Sequence, residues 1–239
     1  MTERPSMVLL HGWGSTAKVW RAVADDFRRT YDCYQLELPG HGDSRLAHSG
    51  AGQLASQLIN EINRPATWLA WSLGALIAMQ AALQSPDRVE RLILVAGTPA
   101  FVQTPQWREA MPVSTFDHFL EEFRTNPRQA QKRFIALQAH GDRNRRHVRQ
   151  QLEASASPVG SKIQWGLDML RSQSLSTDLA KISCPIHCLY GANDALVPAS
   201  IADVMQALAE VTLWPETGHA PFLSDRERFV QWVAGVMHG

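Results

Sequence analysis

Ser72, Asp194 and His219 are the residues best suited to chemistry, and each stands where an apolar run gives way to a turn. Ser72 lies in Ala70-Trp71-Ser72-Leu73-Gly74, between the apolar run Thr67-Trp68-Leu69 and the helix-forming run Ala75-Leu76-Ile77-Ala78-Met79-Gln80-Ala81-Ala82. A strand, a tight turn and a helix with serine at the apex make a nucleophile elbow: small residues on either side let the chain reverse and lift Oγ clear of the sheet. The helix behind it aims backbone N–H groups and the positive end of its dipole at the same spot, which suits a developing oxyanion. A serine that attacks a carbonyl also needs a base to take its proton and a carboxylate to hold that base in one tautomer. Tyr190-Gly191-Ala192-Asn193-Asp194 puts an aspartate just after an apolar run, and Glu216-Thr217-Gly218-His219 puts a histidine after the next one. Singly, such residues read as a helix cap, a solvated loop acid and a structural imidazole. Together, in the order Ser, Asp, His, they read as a catalytic triad.

A fourth element is His11-Gly12-Trp13-Gly14, directly after the first apolar run. Its glycines allow close backbone approach, so the oxyanion hole is assigned to the backbone N–H groups of Trp13 and Leu73, with the Trp13 indole as a wall of the acyl pocket. His11 lies before the oxyanion residue, the wrong place for a base facing Ser72, and is expected to hold the loop by hydrogen bonds.

These loops need a scaffold, and the chain supplies one. Strand-like runs at Met7–Leu10, Tyr31–Leu38, the elbow strand, Arg91–Ala96, Ile186–Tyr190 and Val211–Trp214 alternate with helical stretches at Thr16–Arg28, Gly52–Ile62, the elbow helix up to Ser85-Pro86, Ser200–Ala209 and Arg226–Met237. Strands that are apolar throughout, alternating with helices, predict a mostly parallel sheet covered on both faces. Such sheets carry their sites beyond the carboxyl ends of the strands. From Thr98 to about Thr177 the alternation stops: Pro99, Pro105 and Pro112 open a stretch with Phe116, Phe119, Leu120 and Phe123 at helical spacing. The expected organisation is an α/β core formed by residues 1–98 and 178–239, with a helical lid inserted at 99–177.

Composition bounds the function. With 239 residues, 45% hydrophobic and 19% charged, the chain can bury one sizeable core. Its polar start, Met1-Thr2-Glu3-Arg4-Pro5, is unlike a signal peptide, and no run is long enough to span a membrane, so a soluble, cytoplasmic protein is expected; a monomer is expected as well, although nothing in the sequence fixes the oligomeric state. The cysteines number three, and in an extended stretch Cys184 and Cys188 stand roughly 13 Å apart, too far for a disulfide, so buried thiols are expected. Cys184, His187 and Cys188 lack the second half of a zinc site, so no metal is expected; the triad chemistry requires no cofactor. Basic and acidic residues balance at 23 each, yet positions 124–149 hold Arg124, Arg128, Lys132, Arg133, Arg143, Arg145, Arg146 and Arg149 against Asp142 alone. Such a run suits either a solvated face or an acidic partner; without a basic remainder or a binding motif, nucleic acid is not expected.

The Ser–Asp–His order, the elbow and the oxyanion loop together resemble the α/β-hydrolases with a helical lid, over essentially the whole chain. Within that fold, "LLHGWG", "LPGHGDS", "AWSLGA", "RFIALQ", "LYGANDALVP" and "GHAPF" resemble the pimeloyl-[acyl-carrier protein] methyl ester esterases of biotin synthesis. The resemblance implies a serine carboxylesterase that releases methanol from a methyl ester carried on acyl carrier protein. It implies substrate contacts at Trp13, Ser72, Leu73, Phe134, Ile135, Ala136, Leu137, Gln138 and His219. It also implies docking of the carrier by Arg133 and Arg146, with Arg128, Arg143 and Arg149 compensating for Gln129 and Gln150, which stand where that family can have arginine. The chain departs from the family at Ala70 and Ala75, where glycine is common, and in a nearly absent amino-terminal hairpin, which is expected to expose a sheet edge. The other readings are a broad short-chain carboxylesterase, another lidded hydrolase such as a carbon–carbon bond hydrolase or lactonase, and a noncatalytic binding protein; the intact triad argues against the last.

Overall fold

In the computed structural model of the chain, residues 4–47 and 50–238 are described; the polar start Met1-Thr2-Glu3 lies outside them. The strands are β1 (Ser6–Leu10), β2 (Asp32–Leu36), β3 (Ala66–Trp71), β4 (Val89–Val95), β5 (Ile186–Gly191) and β6 (Glu210–Trp214). They form one sheet in the order β2-β1-β3-β4-β5-β6, with every neighbouring pair parallel. Parallel pairing requires long crossovers, and helices fill them. These are α1 (Arg21–Phe27), α2 (Ala51–Ile62), α3 (Leu73–Gln84) and α8 (Ser200–Met205), with α9 (Pro221–Ser224) and α10 (Arg226–His238) after the last strand. Four more, α4 (Val113–Thr125), α5 (Pro127–Gln138), α6 (Arg145–Ala154) and α7 (Gln164–Ser172), lie between β4 and β5.

Two apolar cores explain why the central strands carry no polar alternation. Val8, Leu10, Trp68, Ala70, Leu92 and Leu94 pack with α2 and α3 on one face. Met7, Leu9, Leu69, Trp71, Ile93 and Val95 pack with α1 and α10 on the other. Successive side chains point to opposite faces, so a strand buried twice must be apolar at every position. Among the described residues the sheet has its two edges at β2, which is half-buried along its length, and at β6, which is partly exposed. Helix α8 stops at Met205, short of the predicted Ala209, because the buried stripe of Ile201, Ala202 and Met205 is not continued: Leu208 is exposed. Of the three thiols only Cys188 is fully buried, which pushes its pKa up to about 12; Cys33 and Cys184 are half-buried.

The register brings the carboxyl ends of the strands to one edge, with Leu10 beside Ala70, Ala70 beside Leu94, Val95 beside Leu189, and Gly191 beside Trp214. The loops holding Trp13, Ser72, Asp194 and His219 therefore emerge together.

Candidate active site

Ser72 sits between β3 and α3 with φ 54° and ψ −117°, a conformation that a non-glycine residue adopts only when its surroundings hold it there. The surroundings are tight. A side chain at Gly74 would come within 2.8 Å of the Leu10 carbonyl oxygen, and one at Gly12 within 3.1 Å of Ser72 Cβ. Both glycines thus let the oxyanion loop and the elbow lie against each other. Ala70 is fully buried, so the turn closes without a glycine there.

His219 Nε2 lies 3.0 Å from Ser72 Oγ, and Nδ1 lies 2.7 Å from Asp194 Oδ2. The imidazole and the carboxylate are fully buried. A buried carboxylate is costly unless its oxygens are satisfied. Here Leu196 N–H and Val197 N–H donate to Oδ1 at 2.8 and 3.1 Å, which leaves Oδ2 to accept from Nδ1–H. In that tautomer Nε2 is the acceptor for the serine proton. Trp71, the residue before the serine, donates its indole N–H to the His219 carbonyl oxygen at 2.8 Å and so ties the base to the elbow. Its ring also lies beside the His219 imidazole, with centroids 5.6 Å apart, and the sequence offered no sign of this bond across 148 positions.

The oxyanion loop is braced by a reciprocal pair of buried histidines. Leu38 N–H donates to His11 Nε2 at 3.0 Å, and Gly14 N–H donates to His41 Nε2 at 3.0 Å. Each Nδ1 faces a carbonyl oxygen of its own loop, Gly12 for His11 and Pro39 for His41, both at 2.9 Å. Each loop thus lends an acceptor to the other. Burial, with the neighbouring His11 second, pushes the His41 pKa down to about 3, which keeps its ring neutral. His11 accordingly belongs to the brace and lies away from the triad's hydrogen-bond chain. Among the described residues Trp13 N–H has no intramolecular acceptor, and Leu73, the first residue of α3, has an N–H that precedes any intrahelical acceptor.

Trp13 is buried, donates its indole N–H to the Ile163 carbonyl at 2.8 Å, and packs edge-on against Phe119, Phe123 and Phe134. Phe119 and Phe134 belong to the wall of an apolar cavity of about 340 Å³, with Phe101, Phe116, Leu137 and Leu196. Ser72 and His219 do not line it; Leu196, two residues beyond Asp194, is part of its wall, and Trp13 packs against that wall through Phe119 and Phe134. Of the run 134–138 on α5, Phe134 and Leu137 line the cavity, whereas Ile135 packs into the core on the opposite side with Trp71. Consecutive helix residues cannot all face one way. Ala136 is half-buried, and Gln138 is buried, with its carbonyl accepting His219 N–H at 3.2 Å and its amide nitrogen without a partner among the described residues.

The predicted docking residues Arg128, Arg133, Arg143, Arg146 and Arg149 are all exposed. Arg133 pairs with Glu122 at 2.8 Å, Arg143 with Asp225 at 2.9 Å, and Arg149 with Glu153 at 2.8 Å. The charge run in the sequence left out these partners because they lie outside positions 124–149. Among the described residues, Arg128 and Arg146 have no ion-pair partner.

A curated protein from Nitrosomonas europaea, named pimeloyl-[acyl-carrier protein] methyl ester esterase, is 36% identical over 234 residues, covering 95% of this chain and 93% of that protein. One of the same name from Methylococcus capsulatus is 36% identical over 241 residues, covering 96% and 93%. Among solved structures, an esterase from Exiguobacterium antarcticum superposes with a TM-score of 0.88 at 22% identity, covering 100% of this chain and 94% of that one, a likeness of fold. Residues 7–232 match the profile of the alpha/beta hydrolase family. With a match of that breadth and relatives of that similarity, the chain belongs to the alpha/beta hydrolase family.

Proposed function

We propose that this chain is a serine carboxylesterase that hydrolyses the methyl ester of pimeloyl-[acyl-carrier protein], giving pimeloyl-[acyl-carrier protein] and methanol. The observation that carries the reaction type is the buried hydrogen-bond chain from Ser72 through His219 to Asp194. In this mechanism Ser72 Oγ attacks the ester carbonyl as its proton passes to His219 Nε2, and the imidazolium is stabilised by Asp194. The N–H groups of Trp13 and Leu73 receive the oxyanion. His219 then protonates the departing methoxide, and methanol leaves an acyl-enzyme. Water, deprotonated by His219, attacks that ester; the tetrahedral intermediate collapses and Ser72 recovers its proton. No cofactor takes part.

The substrate class is supported by the two relatives and by three features of the helical insertion, which we assign as the lid. A cavity of about 340 Å³ is at the small end of ligand sites and walled mainly by apolar groups, with His118 and Arg133 also lining it, which suits an acyl chain with a polar end. The buried, unpartnered amide nitrogen of Gln138 offers a donor to a substrate oxygen. The exposed cations on α5 and α6 suit an acidic carrier, Arg128 and Arg146 foremost because they have no acidic side chain to give up. Carrier delivery fits a cytoplasmic, monomeric enzyme, and among the described residues no helix is long and apolar enough to cross a membrane. A general carboxylesterase is the second reading, favoured by the internal pairing of Arg133, Arg143 and Arg149. Comparing kcat/KM for the carrier-bound methyl ester and the free methyl ester of the same chain separates the two. The proposal expects a clear preference for the carrier-bound ester that added salt erodes; equal values at all salt concentrations favour the general enzyme.

A further inference from the structure

Asp142 is the single acid of the basic stretch, yet it is buried and faces the triad's loops rather than the arginines. It lies in the turn between α5 and α6. Its Oδ2 accepts Gly218 N–H at 3.0 Å, while Oδ1 accepts Ser224 O–H at 2.8 Å and Asn144 N–H at 2.7 Å. Gly218 is the residue before the catalytic base. The same turn holds the neighbouring backbone as well: Arg143 N–H donates to the Glu216 carbonyl at 2.8 Å, and Asn193, beside Asp194, donates its amide to the Gly141 carbonyl at 2.9 Å. A side chain at Gly218 would come within 2.8 Å of the His140 carbonyl oxygen, so the base loop is pressed directly onto the turn. Glu216 has φ 53°, a left-handed conformation that glutamate keeps only when it is held.

We infer that Asp142 is a positioning residue for His219. It fixes the main chain just before the base while the Gln138 carbonyl and the Trp71 indole fix the base's own N–H and carbonyl. Three anchors, two of them from the helical insertion, thereby set the swing of the imidazole toward Ser72. This rests on His219 being the base. A carboxylate serves because it is acceptor-only and can take all three donors at once; an amide in its place would turn an N–H₂ against one of them.

The test is Asp142→Asn assayed on a small free ester, beside Ser224→Ala, which removes one bond to Asp142 and leaves the Gly218 contact. Misplacement of a reacting group by about 1 Å can cost on the order of 10²-fold. Asp142→Asn should therefore lower kcat by about 10- to 100-fold with KM within twofold, and slow inactivation by a fluorophosphonate in parallel. Ser224→Ala should keep kcat near the parent value even where the lost hydrogen bond to Asp142 lowers Tm. In the unmodified protein the Gly218 amide should be protected from hydrogen exchange, a measurement that stands even where a variant does not fold. An unprotected Gly218 amide, a folded Asp142→Asn enzyme with parental kcat, or equal kcat losses in both variants would overturn the inference. His219→Ala is the control: if it stays active, the assignment of the base has failed, whereas an inactive His219→Ala beside a normal Asp142→Asn leaves that assignment standing and removes only the role of Asp142.

Discussion

The strand-end loops and the outer face of α5 and α6 lie next to each other and are built on opposite terms. In the loops, polar groups are buried and committed: Asp194 accepts from two backbone N–H groups and from His219, and His11 and His41 each take an N–H from the opposite loop. On the outer face the cations are exposed, and three of the five arginines assigned to docking are engaged with acidic side chains of the same chain. Buried hydrogen bonds fix geometry to within tenths of an ångström and cost little further ordering when the reaction occurs. Exposed ion pairs are worth about 0–1 kcal/mol and exchange partners easily. On the function proposed above, one region serves chemistry and the other reversible contact, so substitutions in the two should differ in both size and kind.

Loss of the nucleophile should have the largest effect. Ser72→Ala is expected to lower kcat by on the order of 10⁶ with an unchanged melting curve, and to abolish fluorophosphonate labelling. Near-normal turnover in a folded Ser72→Ala protein would remove the strand-end loops from the chemistry altogether. Next, Asp194→Asn is expected to lower kcat by about 10⁴, because the amide cannot hold the Nδ1–H tautomer, with little change in KM. Steady-state kinetics that left kcat unchanged would show that another carboxylate orients the base.

A smaller effect sharpens the claim that the loops depend on burial. The unfolded chain binds a proton at His41 near pH 6.5, and the folded one only near pH 3. Between these values the unfolded state holds more protons, so stability is complete above about pH 6.5 and falls as the pH drops toward 3. The limiting slope is about 1.4 kcal/mol, or about 3–5 °C in Tm, per pH unit. His41→Gln, whose side-chain oxygen can take the Gly14 N–H, should flatten this part of the profile in thermal melts. An unchanged pH dependence would mean that the His41 ring carries no such linkage.

The smallest effect belongs to the outer face. Changing Arg128 and Arg146 together to Glu is expected to raise KM for a carrier-bound ester several-fold and to leave a small free ester nearly unaffected. Salt should imitate the substitution, since exposed charges are screened over about 8 Å at physiological ionic strength. Equal losses on both esters would mean that the substitution reached the cavity, and no loss on either would reduce the cations to a solvated surface.

The fold and the candidate triad were legible in the sequence because each is written locally. Ala70-Trp71-Ser72-Leu73-Gly74 combines a strand end, two small residues and a helix start within one short window, and Asp194 and His219 each follow an apolar run within a few residues. What escaped depends on contacts between distant segments. Asp142 reads as an exception in a basic run, and only folding shows its carboxylate beneath Gly218, 76 positions away. Arg143 counts as a free cation until Asp225, 82 positions on, is seen beside it. Ile135 shares a motif with Phe134, yet the helical turn sends it into the opposite core. The brace between His11 and His41 is half visible in the sequence: the place of His11 marks it as a loop anchor, while His41 in Pro39-Gly40-His41-Gly42 gives no sign that it returns the same bond.

The most direct measurement is mass spectrometry of a methyl pimeloyl conjugate of acyl carrier protein after incubation with the enzyme. The expected result is loss of the methyl group with the acyl chain still attached to the carrier, prevented by Ser72→Ala. An intact methyl ester, or cleavage that instead frees the acyl chain from the carrier, would contradict the proposed reaction.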